Sequence, residues 1–194
     1  MDFYDTVYEH ICAITPVPIG DFDALWAILD KRTLKKGSYF AYQGRIEKKC
    51  GLLIKGVVRT FFRNKVGEEY IKSFGTPFSF VGGFSSLVSG QTNQISVQTI
   101  VDSIILEASY TEIIKLYQTY PSLETLGRRV AESLFVFKEA REIKLLSLTA
   151  EERYLEFREE YPTLEAIVPQ YYIASYLGVT PTQLSRIRRK LLSQ

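Results

Sequence analysis

Apolar positions in the first 34 residues recur at intervals of three and four. Phe3, Val7 and Ile11 fall on one helical face, and Phe22, Leu25, Trp26 and Leu29 on another. Pro16, Pro18 and Gly20 separate the two sets, so residues 2–34 read as two helical segments. From about residue 35 the period changes to two. The runs GLLIKGVVRTFF (51–62), YIKSF (70–74), QISVQTIV (94–101) and SIILEAS (103–109) are rich in Val, Ile, Phe and Thr, the residues of a pleated, half-buried surface. Gly37, Gly44, Gly51, Gly56, Gly67 and Gly75 recur between and within these runs, and NKVGEE (64–69) has the composition of a hairpin connection. Short strands punctuated so regularly predict a barrel or roll. In the run 94–101, Ile95, Val97, Thr99 and Val101 share one face, with Gln94, Ser96 and Gln98 on the other.

The helical period returns after residue 110. A short helix over 111–119 carries Ile113, Ile114, Leu116 and Tyr117, and Pro121 ends it. The next segment, 122–147, holds no Pro and a single Gly, Gly127. At about 1.5 Å per residue it would be roughly 40 Å long. Its apolar positions Leu123, Leu126, Val130, Leu134 and Phe137 are spaced by three and four. A helix of that length reads as a dimer seam of coiled-coil type; the alternative is a core helix lying against the roll. Thr149 and Glu152 then fit a capping box that opens a helix through Tyr154, Leu155 and Phe157. The segment YPTLEAIVP (161–169) connects it to the last unit.

That unit, QYYIASYLGVTPTQLSRIRRKLLSQ, carries the most specific pattern in the chain. A helix over 169–177 exposes Gln170 and has Ile173, Ala174 and Leu177 as apolar positions. Gly178 stops it, because a turn there needs a positive φ. Thr180 is an N-cap, Pro181 suits the first helical position, and Gln183 completes a second capping box. The following helix buries Leu184, Ile187 and Leu191. Together these spacings describe a helix-turn-helix, with an ordinary helical hairpin of basic outer face as the bland alternative. In a helix-turn-helix the second helix enters the major groove N-terminal end first. The exposed residues there are Thr182, Gln183, Ser185, Arg186 and Arg189. Gln183 and Arg186 are of the types that read adenine and guanine edges. Arg188, Arg189 and Lys190 are better placed for phosphates, which position the protein without reading sequence.

Charge sharpens this picture. Residues 1–165 hold all 22 acidic and 20 of the 24 basic side chains, a sum of −2, whereas residues 166–194 hold no acid and Arg186, Arg188, Arg189 and Lys190, a sum of +4. An acid-free basic end meets a polyanion, or is a solvated helix terminus; charge alone leaves both open. Composition narrows the chemistry further. One histidine, His10, and two cysteines, Cys12 and Cys50, leave no cluster for zinc, an iron–sulfur centre or haem, and so few cysteines fit a reducing, cytoplasmic setting. Ser85, Ser86 and Ser89 have no histidine to activate them, so the expectation is that the protein is not an enzyme and carries no cofactor. A redox pair of Cys12 and Cys50 stays open. No apolar run approaches the ~18 residues of a membrane span, and MDFYDTVYEH does not read as a signal peptide.

A glycine-punctuated roll, a short helix, a long helix and a C-terminal helix-turn-helix, in that order, resemble the Crp/Fnr transcription regulators. The resemblance is carried by GLLIKGVVRTFF, GRRVAESLFVF and YYIASYLGVTPTQLSRIRRKL. It implies an α+β chain: a cyclic-nucleotide-binding-like β-roll of jelly-roll type over 1–120 with flanking helices, a dimerisation helix over 121–147, and a winged helix-turn-helix over 148–194. Residues 161–169 would supply the wing. The implied partners are double-stranded DNA and a second copy of the chain. RNA polymerase would be a third partner if the protein activates, although no residue pattern marks a surface for it. Members of the family carry an Arg, then a Glu, then a further Arg four residues on in the recognition helix. The matching positions are Pro181, Thr182 and Arg186, so only the last carries over. The cyclic-nucleotide cassette of the family has Gly-Glu and, about ten residues on, Arg-Ser. Here Gly82 keeps the Gly, while Gly83, Asn93 and Gln94 replace the other three. A buried cyclic phosphate would lose its fixed cation, so cyclic AMP is not expected to bind tightly. What remains is a pocket of Gly82, Gly83, Phe84, Ser85, Asn93 and Gln94, with Ser133 and Phe137 on the long helix. It would take an uncharged effector or be filled by side chains. A different class of reading keeps the ligand-sensing roll but docks the C-terminal helices on a protein instead of DNA.

Overall fold

The computed structural model describes residues 3–192. Along the chain come α1 (Tyr4–Ile14), α2 (Ile19–Trp26), β1 (Asp30–Leu34), β2 (Tyr39–Ala41), β3 (Lys49–Lys55), β4 (Val58–Arg63), β5 (Glu69–Gly75), β6 (Phe80–Val81), α3 (Phe84–Ser89), β7 (Ser96–Thr99), β8 (Ser103–Ser109), α4 (Tyr110–Thr119), α5 (Pro121–Ser147), α6 (Ala150–Glu160), α7 (Leu164–Ile167), α8 (Gln170–Leu177) and α9 (Pro181–Leu192). The strands form two antiparallel four-stranded sheets, ordered β1-β8-β3-β6 and β2-β7-β4-β5. The run 51–62 thus splits between the sheets, β3 pairing with β8 and β4 with β5 and β7. Leu53, Val58, Val97 and Ile105, fully buried, fill the space between the sheets. The alternation in 94–101 holds for Val97 and Thr99, but Ser96 is buried as well, its hydroxyl accepting from the Gln43 amide at 3.0 Å.

Three parts of the architecture depart from the sequence reading. Residues 30–34 are a strand and not the end of the N-terminal helical segment, because each pairs with a residue of Ser103–Glu107. Long-range pairing of this kind overrides local periodicity. The short elements β2, β6 and α3 carry too few residues for a period to show. Residues 161–169 do not form a wing: they make α7, and among the described residues no strand follows β8. The cause is their spacing. Tyr161, Leu164 and Val168 are buried together, a three-and-four interval that a helical turn points to one side and a hairpin would divide between two.

Glu107 on β8 is the buried charge of the first sheet, paired with Arg32 at 3.1 Å and Lys49 at 2.6 Å. Burial raises the proton affinity of this carboxyl, but the hydrogen bonds and charges of Lys49 and Arg32 outweigh it and hold its pKa below the ordinary glutamate value. A carboxyl with a folded-state pKa below its unfolded one stabilises fully above the unfolded value, and that contribution is lost as pH falls through the folded one. The urea midpoint is therefore expected to fall on acidification below about pH 4.3, the ordinary Glu pKa. The Glu107→Gln variant, already weakened at pH 7, should show a flatter acid limb.

Candidate nucleic-acid interface and ligand cavity

The C-terminal helix pair forms as its residue types require. Gly178 takes φ +69° and ends α8, and the Val179 amide donates to the Ala174 carbonyl at 3.0 Å, closing the turn. Ala174 is fully buried where the two helices approach. Both capping boxes are present. Glu152 N donates to Thr149 Oγ1 at 3.3 Å, and Gln183 N to Thr180 Oγ1 at 3.2 Å, each answered by the partner side chain. Leu184 is the buried anchor of α9, with Ile187 and Leu191 packed on the same core.

The remaining α9 surface faces outward: Thr182, Gln183, Ser185, Arg186 and Arg189 are exposed, as are Gln170 and Thr180. Two details change what this surface can do. Gln183 Oε1 accepts from Thr180 N and Oγ1, so the oxygen half of its amide is occupied by the cap. Arg188 lies 3.7 Å from Glu165, and Lys190 bonds Glu151 at 2.6 Å. Two of the three cations assigned to phosphates thus sit against carboxylates of their own unit. The net charge at this face is accordingly lower than the tail composition implies.

The helix pair is not a separate lobe. Phe61, Ile71 and Phe74 of the roll share one core with Phe157, Tyr161, Ile173, Tyr176 and Leu177. Helix α8 lies along β5, the edge strand of its sheet, and satisfies its open backbone. Ser175 Oγ accepts from Ile71 N at 2.9 Å and donates to Glu69 O at 3.2 Å. Arg141 of α5 donates to Lys72 O and to Tyr176 O, both at 2.8 Å, joining strand and helix. Arg59, almost fully buried, stacks between Phe61 and Tyr172 at 3.9 and 4.0 Å from the ring centres and pairs with Glu69. Sequence reasoning missed Arg59, Arg141 and Ser175. For Arg141 a sign existed: it continues the Leu134 and Phe137 stripe by four residues.

Helix α5 is two-sided, and the stripe read as a dimer seam is its inner side. Leu123 and Leu126 are 1% and 7% exposed, buried against α1, α2 and the roll with Val130 alongside. Leu134 and Phe137 line the cavity described next. The core-helix alternative therefore describes Leu123, Leu126 and Val130, while Phe137, 38% exposed, is not covered by the roll. The opposite side carries Phe135, Val136, Ile143 and Leu146, 66%, 62%, 56% and 89% exposed.

Between the roll and α5 lies a cavity of about 500 Å³. Gly82, Gly83, Phe84, Ser85, Asn93, Gln94 and Phe137 all line it; Ser133 does not. Gly83 and Asn93 are coupled by space, since a Cβ at Gly83 would lie 2.3 Å from Asn93 Nδ2. The Asn93 amide thus occupies the room that a glutamate at position 83 would need. Asn93 is 2% exposed; its Oδ1 accepts from Ile95 N at 3.4 Å, and its Nδ2 has no partner. A buried donor left unpaired costs about 1–3 kcal/mol. Lys72, Lys138, Arg141 and Glu142 also line the cavity, charged groups that its sequence reading as an uncharged pocket did not include.

The remaining candidates resolve simply. His10 stacks on Phe78, ring centres 4.6 Å apart, and burial lowers its pKa: it is a packing residue. Cys12 and Cys50 are not joined in a disulfide, and burial pushes the Cys50 thiol up to about 11, leaving little thiolate for redox chemistry. Among the described residues no group of three His, Cys, Asp or Glu side chains is placed to hold a metal. No helix among them is long and apolar enough to cross a membrane.

No family model matches the chain. It is 26% identical over 148 residues to the transcriptional activator protein Anr of Pseudomonas aeruginosa, a match covering 76% of this chain and 60% of that one. The match thus spans about 60% of the length of the curated relatives. Among solved structures it is similar to the c-di-GMP responsive global regulator CLP of Xanthomonas campestris (TM-score 0.73, 16% identity, 91% of this chain and 92% of that one). It is also similar to a Crp/Fnr-family transcriptional regulator from Eubacterium rectale (TM-score 0.70, 13% identity, 91% and 84%). With these likenesses extending over 91% of its length, the chain has the fold of the Crp/Fnr transcriptional regulators.

Proposed function

We propose that the protein is a homodimeric, sequence-specific DNA-binding regulator of transcription, with residues 1–120 as sensor, 121–147 as the helix along which two copies meet, and 148–194 as the DNA-binding unit. The observation that carries this reading is the orientation of α9. Its apolar side is spent on the core through Leu184, while Gln183, Ser185, Arg186 and Arg189 face outward from a helix without a carboxylate. Two copies would join through the outer side of α5, where Val136, Ile143 and Leu146 recur at seven and three residues, the interval of a helical seam. Base readout falls mainly on Arg186, since the Gln183 oxygen is held by the helix cap. The cassette, with Asn93 in place of the arginine, does not favour cyclic AMP.

Selection from a random duplex pool tests this. The expected result is a two-fold symmetric site with half-sites about 10 bp apart, bound less tightly as salt rises. Arg186→Ala should lose discrimination at one base position per half-site, about 1–3 kcal/mol. A uniform weakening on every sequence would assign Arg186 to phosphate, and no enrichment at all would favour docking on a protein.

A further inference from the structure

The cations of α9 differ in what stands beside them. Arg186 has no carboxylate within 4 Å among the described residues. Arg188 and Lys190 each have one. They are two residues apart, so about 200° apart around the helix, and meet their carboxylates on opposite flanks. On one flank Glu165 of α7 lies 3.7 Å from Arg188 Nε and 3.4 Å from Arg158 Nε of α6. On the other, Glu151 in the first turn of α6 accepts from Lys190 Nζ at 2.6 Å. An exposed ion pair is usually worth little, because ordering two long side chains offsets the attraction. Here part of that ordering is already done. Glu165 accepts from the hydroxyl of Tyr154, a buried residue, and is held in place before it meets either guanidinium. The Arg188 and Glu165 side chains are 32% and 25% exposed, so salt screens them less than a fully solvated pair. Glu151 lies at the positive end of the α6 dipole, which favours its charge. The segment 161–169, expected as a wing, thus brings a carboxylate to α9 in place of a hairpin.

We propose that Glu165 and Glu151 are built-in counter-ions that stand in for DNA phosphates at Arg188 and Lys190, and so set how strongly the helix-turn-helix holds any duplex without changing which sequence it reads. A phosphate approaching either cation meets a carboxylate already in place, and the contact neutralises less than a full backbone charge. Arg186 keeps its charge for a base edge. Phosphate contacts carry no sequence information, so weakening them lowers affinity alike on every duplex. This role deepens the DNA-binding reading above and rests on it for the polyanion, though not for sequence selection.

Fluorescence anisotropy with a duplex of mixed sequence, over a range of salt concentrations and with the full chain, tests this role. In the double variant Glu151→Gln/Glu165→Gln the slope of log affinity against log salt is expected to steepen by about 1–2, near 0.9 for each phosphate newly neutralised. Affinity at about 0.1 M salt should rise tenfold or more, since a slope of that size is worth about eightfold per contact between 1 M and 0.1 M. Glutamine still offers an oxygen to the Tyr154 hydroxyl. The single variants, on separate elements, should each give about half of the steepening, so the outcome does not hang on one of them folding. Glu9→Gln/Glu112→Gln makes the same change in net charge at exposed acids of α1 and α4, outside the helix-turn-helix, and should leave the slope unchanged. Adding Arg188→Gln and Lys190→Gln to the Glu151→Gln/Glu165→Gln variant should remove the gain. An unchanged slope, an equal gain in the Glu9/Glu112 variant, or a gain that survives loss of both cations would each overturn the proposal. A gain without a symmetric site in the duplex selection would sink sequence-specific binding and leave this role standing; a selected site without a gain would do the reverse. No duplex binding by any of these proteins would overturn both.

Discussion

Phe157→Ala is expected to lower the stability of the folded chain by about 3–5 kcal/mol, the usual cost of emptying a buried phenylalanine site. Phe157 is fully buried on α6, its ring 6.2 Å from Phe74, 5.5 Å from Tyr161 and 5.7 Å from Tyr176. Phe74 belongs to β5, Tyr161 follows α6 and Tyr176 belongs to α8, so one ring holds the roll, the connection and the helix-turn-helix at once. Aromatic neighbours of this size cannot collapse into the space, because each is fixed on a different element. Urea unfolding measures the loss. Native-state hydrogen exchange locates it: the amides of Ile173–Leu177 should lose protection, while those of β3 and β8, in the other sheet, should retain theirs. A loss below about 1 kcal/mol, typical of surface substitutions, would mean that the two regions are not joined through this core.

Glu69→Leu has an effect of similar size for an electrostatic reason. The Arg59 side chain is 4% exposed; Nε and Nη2 donate to Gln98 Oε1 at 2.9 and 2.6 Å, and Nη1 pairs with Glu69. Burial raises the Glu69 pKa, but Arg59 and Arg63 together hold it below the ordinary value. Removing the carboxylate leaves a guanidinium buried between Phe61 and Tyr172 without its counter-charge, at a cost of about 3–5 kcal/mol. The double variant Arg59→Met/Glu69→Leu should recover most of that loss, because replacing both charges removes the desolvation penalty together with the pair. A chemical-denaturation cycle over the four proteins decides it. If the double variant is as weak as the single one, the interaction of Arg59 with Tyr172 matters more than its charge balance. Tyr172 lies on α8, so the same cycle reports how firmly the helix-turn-helix is seated on the roll.

The C-terminal motif was legible because it is local. Gly178, Thr180, Pro181 and Gln183 each answer a need of the backbone within four residues, and a residue type that satisfies a turn or a cap shows without knowledge of the rest of the chain. The same holds for Thr149 and Glu152, and for the span of α5. The cassette, too, was visible as Gly82, Gly83, Asn93 and Gln94, seven of the eight expected pocket residues lining one cavity. The side on which α5 meets its own roll was not legible. A stripe at 3-4 spacing states only that a face is covered, and Leu123, Leu126 and Val130 are covered from within, whereas Leu134 and Phe137 line the cavity.

Sequence by itself determined the order of elements and the helix-turn-helix, since each depends on neighbours along the chain. The tertiary structure alone decided which cations are answered. Glu165 and Glu151 reach Arg188 and Lys190 across 23 and 39 residues, while Lys72 and Lys138, 66 apart, converge on one cavity. Coulomb interaction depends on distance in space, which spacing along the chain does not encode.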